Sequence, residues 1–532
     1  MEPFDLVVVG GGHNGLVAAA YAARAGQRTL VLEALDRLGG ASGGDEPWPG
    51  FRVSTAAYVV SLFRPEIVRE LDLARHGYAV LPRDPSSFTP LPDGRSLLLG
   101  PDPALNQREI AKFSRRDAER FPRYEALLDR LARAIEPTLL EPPPDPFSGR
   151  PGDLWRLART GWRLLRLGED GPRALELLLG AARPILERWF ESEPLRATLA
   201  TDAIIGAMAS PSTPGTAYVL FHHVMGEVNG ARGVWGYVRG GMGALAAALA
   251  GAARAAGAEL RTGARVARVR VRGGRADGVV LADGTEIPAR RVASSVDARR
   301  TLLGMVGAEH LAPEVAEAVG AIDYASASLK INLALSELPR FPAAPHAGAA
   351  PGPHHRGTIH VSPTLDHIER AFADAAAGRP SAEPVLECTI PSAVDPGVAP
   401  PGRHLMSMFV QYAPYRLAEG SWDELKEPFA DRCVALLDRY APGFAASVLH
   451  REVLSPLDLE RRFGLTGGNI FQGAMTPAQL LFLRPFPGGG GYRTPVPGLY
   501  LCGAATHPGG GVMGACGRSA AREILRDARR GR

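Results

Sequence analysis

The stretch Asp5-Leu-Val-Val-Val-Gly10-Gly11-Gly12-His13-Asn14-Gly15, with Val31-Leu32-Glu33 after it, decides the fold of this chain. Residues 4–9 form an apolar run of strand length. Gly10, Gly12 and Gly15 fit G-x-G-x-x-G at a strand-to-helix junction. Residues 16–25 are rich in alanine, a strong helix former, and Gly26 ends that helix. Residues 28–32 read as the next strand, with Glu33 at its far end. Each part has a physical role. Gly10 permits the tight turn, Gly12 lets a pyrophosphate approach the backbone, and Gly15 lets helix and strand pack closely. The helix start offers unpaired N–H groups and a positive dipole end to the phosphates. Glu33 follows at about 20 residues, where a carboxylate accepts hydrogen bonds from a ribose diol.

Directly after Glu33 come Asp36-Arg37-Leu38-Gly39-Gly40-Ala41-Ser42. A second glycine pair so near the ribose acid suits a loop folding back over the dinucleotide. At the other end of the chain, Gly498-Leu-Tyr-Leu-Cys-Gly503-Ala-Ala-Thr-His507-Pro-Gly-Gly-Gly511-Val-Met-Gly-Ala-Cys-Gly517 precedes a helix over 518–529. This is again strand, glycine turn and helix. Its helix start can stabilise negative charge at the ring end of a reduced flavin. Gly241-Met-Gly243-Ala-Leu-Ala246 copies the motif only superficially. Its acid, Glu259, opens the following strand instead of closing it, so this is read as a strand–helix junction and not as a second, NAD-binding unit.

The chain has 532 residues, 45% of them hydrophobic, which suffices for about two or three domains. Its net charge of +4 comes from scattered basic residues, so no nucleic-acid partner is expected. Cys388, Cys433, Cys502 and Cys516 make no C-x-x-C, which argues against a redox disulfide or a metal site. Residues 1–5 carry no signal-peptide pattern and no apolar run is long enough to span a bilayer, so a cytoplasmic location is expected.

Between the dinucleotide signatures lie two stretches without any. In the first, 108–136 reads as one helix and residues 141–149 as a Pro-rich loop. Residues 153–167 predict an amphipathic helix. Arg156, Arg159, Arg163 and Arg166 share a narrow arc, with Trp155, Leu157, Trp162, Leu164 and Leu165 on the other side. A basic helix with tryptophans can lie in a membrane interface, which makes 153–167 a candidate for peripheral membrane contact. The plainer expectation is a helix that covers the core with its apolar side and leaves its arginines in water. Residues 259–262, 265–271, 277–281 and 286–294 read as strands, with Asp283-Gly284 as a hairpin turn. In the second stretch, 325–334, 383–391 and 405–412 read as strands and 422–440 as a helix.

The opening motif, Arg37-x-Gly-Gly, and Gly503-Ala-Ala-Thr-His-Pro-Gly-Gly-Gly together resemble the FAD-dependent phytoene desaturase and carotenoid isomerase superfamily. That superfamily shares its fold with amine oxidases and the Rab GDP-dissociation inhibitors. The stretches Trp189-Phe-Glu-Ser-Glu-Pro-Leu-Arg, Thr213-Pro-Gly-Thr-Ala-Tyr-Val-Leu-Phe-His-His, Gly233-Val-Trp-Gly-Tyr-Val-Arg-Gly-Gly-Met-Gly and Gly464-Leu-Thr-Gly-Gly-Asn-Ile-Phe are similar to the branch called pyridine nucleotide-disulfide oxidoreductase domain-containing protein 2. Gln472 stands where the last stretch usually continues with histidine, which argues against an acid–base role there.

The resemblance implies an α/β chain: a Rossmann-type FAD-binding domain (amine oxidase/GDI-like) with an inserted α+β substrate domain. The FAD domain would comprise 1–80, 235–300 and 488–532, and the substrate domain 81–234 and 301–487. The expected FAD contacts are Gly10, Gly12, Asn14, Gly15, Glu33, Ala34, Arg37, Gly39, Gly40, Ala41 and Ser42 near the start and Gly503, Gly511, Val512 and Met513 near the end. Val266 would bind adenine through its backbone. The expected reaction is hydride transfer from an apolar small molecule to the flavin, with reoxidation by oxygen or a quinone. A flavin-dependent double-bond isomerase without net oxidation, and a non-enzymatic binding module of the GDI kind, are the alternatives. His507 is the first candidate near the flavin, and His222, His223 and Glu227 form a candidate acid–base cluster. Tyr218, Trp235 and Tyr237 are candidates for the wall of an apolar pocket.

Overall fold

The computed structural model describes residues 2–346 and 348–531. Five strands, β1 (Leu6–Val9), β2 (Thr29–Leu32), β3 (Glu259–Arg261), β4 (Val292–Ser294) and β5 (Leu499–Leu501), form a parallel sheet in the order β3-β2-β1-β4-β5. Parallel sheets are covered on both faces, which is why β1, β2 and β5 read as unbroken apolar runs. Alternate side chains still choose a face. Leu6 and Val8 meet Ala18, Ala19, Ala520 and Ile524, on helices α1 (His13–Arg24) and α3 (Ala515–Arg529). Val7 and Val9 meet Val269, Val279 and Ile287 on the other side. Those three belong to a small antiparallel sheet of Val266–Arg272, Arg275–Leu281 and Glu286–Pro288. Each fully buried aliphatic contributes about 1.5–3 kcal/mol, enough in sum to join sequence segments hundreds of residues apart. Helix α2 (Met242–Ala255) packs beside α1, through Leu245 and Leu249 against Leu16 and Ala20.

The rest of the chain builds a seven-stranded sheet. Its order is Val448–Leu454, Ser328–Leu335, His404–Gln411, Val385–Thr389, Thr358–Val361, Ser87–Pro90 and Ser96–Leu99. All neighbours are antiparallel except 358–361 and 87–90. Helix Trp422–Tyr440 covers one face of it through Phe429, Cys433 and Leu437. Helices between Pro103 and Val224 form a separate cluster around Phe121, Leu131, Leu186 and Phe221.

Four kinds of difference separate the structure from the sequence expectations. The 108–136 stretch is two helices, Pro103–Ala111 and Arg115–Ile135, because Ser114 accepts from the Asp117 N–H at 3.1 Å and starts a new one. The 286–294 strand is two, because the chain leaves the small sheet at Pro288 and enters the parallel sheet at Val292. Strands 87–90, 96–99, 358–361 and 448–454 of the seven-stranded sheet are additional to the expected ones.

The fourth concerns the amphipathic helix, Pro151–Leu165, which lies the other way round from the plainer expectation. Arg156 Nη2 sits 2.6 Å from the buried Asp153 carboxylate, and Arg159 pairs with Glu141. These carboxylates draw the arginine side partly inward. Leu157 and Leu164 are half-buried, whereas Trp155, Trp162 and Leu165 are 60%, 53% and 80% exposed. Among the described residues no helix is long and apolar enough to cross a membrane.

Candidate functional site

The site is built at the carboxyl ends of β1, β2 and β4. Gly10 takes φ +93°, and a Cβ there would lie 2.4 Å from Ser295 Oγ. That hydroxyl donates to the carbonyls of Val9 at 3.1 Å and Gly10 at 3.0 Å, so it closes the end of β1. At Gly15 a Cβ would lie 2.1 Å from Gly10 O, the close helix–strand approach that only glycine permits. Helix α1 starts at Gly12 without any side-chain cap, so its first N–H groups keep their capacity for a ligand.

Glu33 is fixed from two sides. Its Oε2 accepts from the Gly11 N–H at 2.6 Å and its Oε1 from the Leu35 N–H at 2.9 Å. A carboxylate has about four lone-pair sites, so two remain for a diol. The His13 ring meets Ser42 Oγ at 3.2 Å through Nδ1 and also interacts with the Gly511 backbone. Burial pushes His13 down to about 4, so the ring is neutral at physiological pH.

One cavity of about 810 Å³ runs from this cradle into the space between the two sheets. Of the expected cofactor residues, its wall includes Gly10, Gly12, Asn14, Glu33, Ala34, Gly39, Gly40, Ala41, Ser42, Val266, Gly511 and Val512. Gly15, Arg37, Gly503 and Met513 lie behind it. Arg37 pairs with Asp45 at 2.8 Å, Gly503 packs on Ser295 O, and Met513 is buried beside Leu62. A Cβ at Gly12 would meet only Gly39 O, at 3.9 Å, so this part of the cradle is an open slot. An uncapped helix start, a fixed acid and the wall arginines Arg265 and Arg300 are a donor set that fits a dinucleotide.

The candidate acid–base residues separate. His507 Nε2 meets Thr138 O at 3.1 Å, and burial pushes the ring down to about 4. It is not on the cavity wall. His222 Nε2 meets Gly510 O at 3.1 Å, its Nδ1 has no partner, and burial with His223 beside it pushes it down to about 3. His223 does reach the wall. Its Nδ1 meets Asp202 O at 2.8 Å and its ring lies 5.5 Å from that of Trp235, also a wall residue. Glu227 sits in a short strand, Glu227–Val228, and is tied to Ser61 O by its backbone N–H; it is not on the wall. Gln472 is on the wall and uses both ends of its amide, donating to Ser295 O at 3.0 Å and accepting from the Ala505 N–H at 3.1 Å. Tyr218 packs with Phe471 and Met475 behind the cavity, and Tyr237 is buried with its hydroxyl 3.3 Å from Arg356 O.

Sequence reasoning missed the far end of the cavity. Lys330, wholly buried on strand Ser328–Leu335, holds Nζ 3.7 Å from the Tyr58 ring centroid and pairs with Ser407 Oγ. Burial pushes it well below the usual lysine range. Lys330, Tyr58 and Phe409 share the wall. Behind Tyr58 lies Glu387, pushed up to about 8 by burial and then by Asp202, with Arg83 opposing. His360 Nδ1 stands 3.8 Å from Glu387 Oε1. Lys330, Glu387 and His360 stand on strands that only the sheet order brings together, so no local spacing announces them.

Comparison with known proteins agrees with this geometry. Residues 91–525 match the family model described as flavin containing amine oxidoreductase, and residues 8–71 match that of an NAD(P)-binding Rossmann-like domain. The chain is 49% identical to pyridine nucleotide-disulfide oxidoreductase domain-containing protein 2 of Rattus norvegicus, covering 98% of this chain and 94% of that protein. It is 28% identical to one of the subunits of the limonene dehydrogenase of Castellaniella defragrans, over 98% and 94% of the two chains. Cyclohexylamine oxidase from Brevibacterium oxydans has a similar fold, with a TM-score of 0.59 and 16% identity over 99% of this chain and 100% of that one.

Proposed function

The chain belongs to the flavin containing amine oxidoreductase family and is an FAD-dependent oxidoreductase; from that premise we propose that it dehydrogenates an apolar small molecule. The observation that carries this reading is the continuous cavity that joins the Gly10–Glu33 cradle to walls made by Tyr58, Ile205, Trp235 and Phe409. Such walls desolvate a hydrocarbon skeleton and favour it over water. The likeness to a limonene dehydrogenase supports the same substrate class.

Bound FAD would supply the hydride acceptor, with oxygen or a quinone as the final oxidant. The chain's own residues bind, orient and keep water out. Glu33 would hold the ribose, the start of α1 the pyrophosphate, and Val266 the adenine through its backbone. Gln472 locks Ser295 to Ala505, so it fixes the cavity wall as a neutral strut. Lys330 places a buried amine against Tyr58, where it can take or return a proton at Nζ without leaving a permanent charge in the apolar chamber. His223 and Trp235 also line the chamber. The 81–234 and 301–487 stretches, with the seven-stranded sheet, serve as the substrate domain.

An anaerobic screen of apolar alkenes and cyclic amines against the purified yellow protein tests this. Bleaching of the flavin by an apolar compound, slowed in Lys330→Met at unchanged flavin content, is the expected result. Bleaching by amines alone would overturn the substrate class.

A further inference from the structure

We propose that the outer face of helix Pro151–Leu165, together with the helix after it, docks on a membrane surface bearing anionic headgroups. Among the described residues nine large hydrophobic side chains are exposed, and all but Leu449 fall at Phe147, Leu481 or between Leu154 and Leu179. Leu154, Trp155, Trp162 and Leu165 lie within an arc of about 100° on one helix. Leu175 and Leu179 extend the patch along helix Gly171–Leu179, and Phe147, 86% exposed, joins it to the 481–482 turn by an edge contact with Phe482 at 6.1 Å. Exposed side chains of this size in one place mark an interaction surface.

Charge selects the occupant. Arg150 and Arg166, both exposed, make no ion pair among the described residues. Arg166 lies 3.6 Å from the Trp162 ring centroid, and Arg159 4.4 Å from that of Trp155. Of the acids between Arg150 and Leu179, the buried Asp153 pairs with Arg156, Asp170 with Arg130 and Arg173, and Glu176 with Arg188, which leaves Glu169 alone without an ion pair among the described residues. A second copy therefore brings no acidic strip to these arginines, whereas phosphate headgroups do. Arginines stacked on tryptophan rims beside leucines are the pattern of a helix lying in the interface plane. The underside of the patch is the cavity's own support: Leu178 packs on Tyr218 and Phe471, and Phe471 lines the cavity. Docking here sets the chamber next to the bilayer, independently of what the chamber oxidises.

The test is flotation of the flavin-loaded full chain with vesicles of phosphatidylcholine, with and without about a third of phosphatidylglycerol. The protein should float with the anionic vesicles, at least about tenfold more than with neutral ones. Trp155→Ser/Trp162→Ser/Leu165→Ser should stay at the bottom while keeping its flavin and its thermal midpoint, since all three side chains are exposed. Wild type that stays at the bottom overturns the proposal, as does equal flotation of the triple variant. Wild type that sediments as a dimer, stays out of the vesicle fraction and becomes monomeric in the triple variant assigns the face to a second copy instead.

Discussion

Glu33 Oε2 accepts a hydrogen bond from the Gly11 N–H at 2.6 Å, so the acid expected to hold the ribose also fixes the glycine turn expected to hold the phosphates. The acid and the glycine turn are thus one mechanical unit.

Glu33→Gln keeps the size and removes the charge. Its amide can accept from only one of Gly11 and Leu35, and its NH2 faces the other donor. A charge-assisted hydrogen bond is worth about 1.5–3 kcal/mol, so the FAD dissociation constant should rise roughly 10–100-fold. Titration of the flavin-stripped protein with FAD reads this out.

The C-terminal helix is seated on the first one. A Cβ at Gly517 would lie 2.1 Å from Asn14 O, and the Gly517 N–H points at Asn14 Oδ1. Gly517→Ala should destabilise the protein by about 1–3 kcal/mol through overpacking of α1 against α3. Thermal unfolding followed by flavin release should show a lower midpoint, whereas an unchanged midpoint would argue against this contact.

Glu387 gives stability a pH signature. Its folded value of about 8 lies above the ordinary 4.5, so between those pH values the folded state binds the extra proton. Stability from this group is therefore present at acid pH and falls as pH rises through that window, levelling off above about 8. Glu387→Gln, uncharged at every pH, should flatten the dependence and gain stability relative to wild type as pH rises. Denaturant titrations at pH values across the window compare the two.

Arg484 is a buried guanidinium, at about 10, that donates to the carbonyls of Phe471 at 2.6 Å and Ala504 at 2.8 Å. It ties the loop carrying Phe471 and Gln472 to the turn after β5. Arg484→Met leaves those carbonyls unsatisfied, a loss on the order of 3 kcal/mol. Lower flavin content in purified Arg484→Met than in wild type is the expected reading.

The cradle is legible in the sequence because its chemistry is local. A glycine turn, a helix start and an acid about 20 residues on are fixed by backbone geometry within one βαβ unit. The second glycine turn at 503–511 is legible for the same reason, and Gly511 and Val512 do reach the cavity. Strands 87–90 and 96–99 escape, although Pro92-Asp93-Gly94 between them is a turn signal, because short strands in a largely helical stretch carry little periodicity. Lys330 and Glu387 escape because register across a seven-stranded sheet, not spacing, brings them together, and Tyr58 because it reaches Lys330 from the irregular segment after Phe51–Ser54. The helix Pro151–Leu165 is legible as an element, but its orientation is not. Its periodicity shows two faces, and only the positions of Asp153 and Glu141 decide which one turns inward.

Dehydrogenation of an apolar molecule in this cavity leaves a mark in the product's mass. The decisive measurement is that mass after a single anaerobic turnover with a compound that the cavity binds. A bleached flavin and a product lighter by two hydrogens are expected. A product of unchanged mass, formed while the flavin stays yellow, would contradict dehydrogenation and make the protein an isomerase.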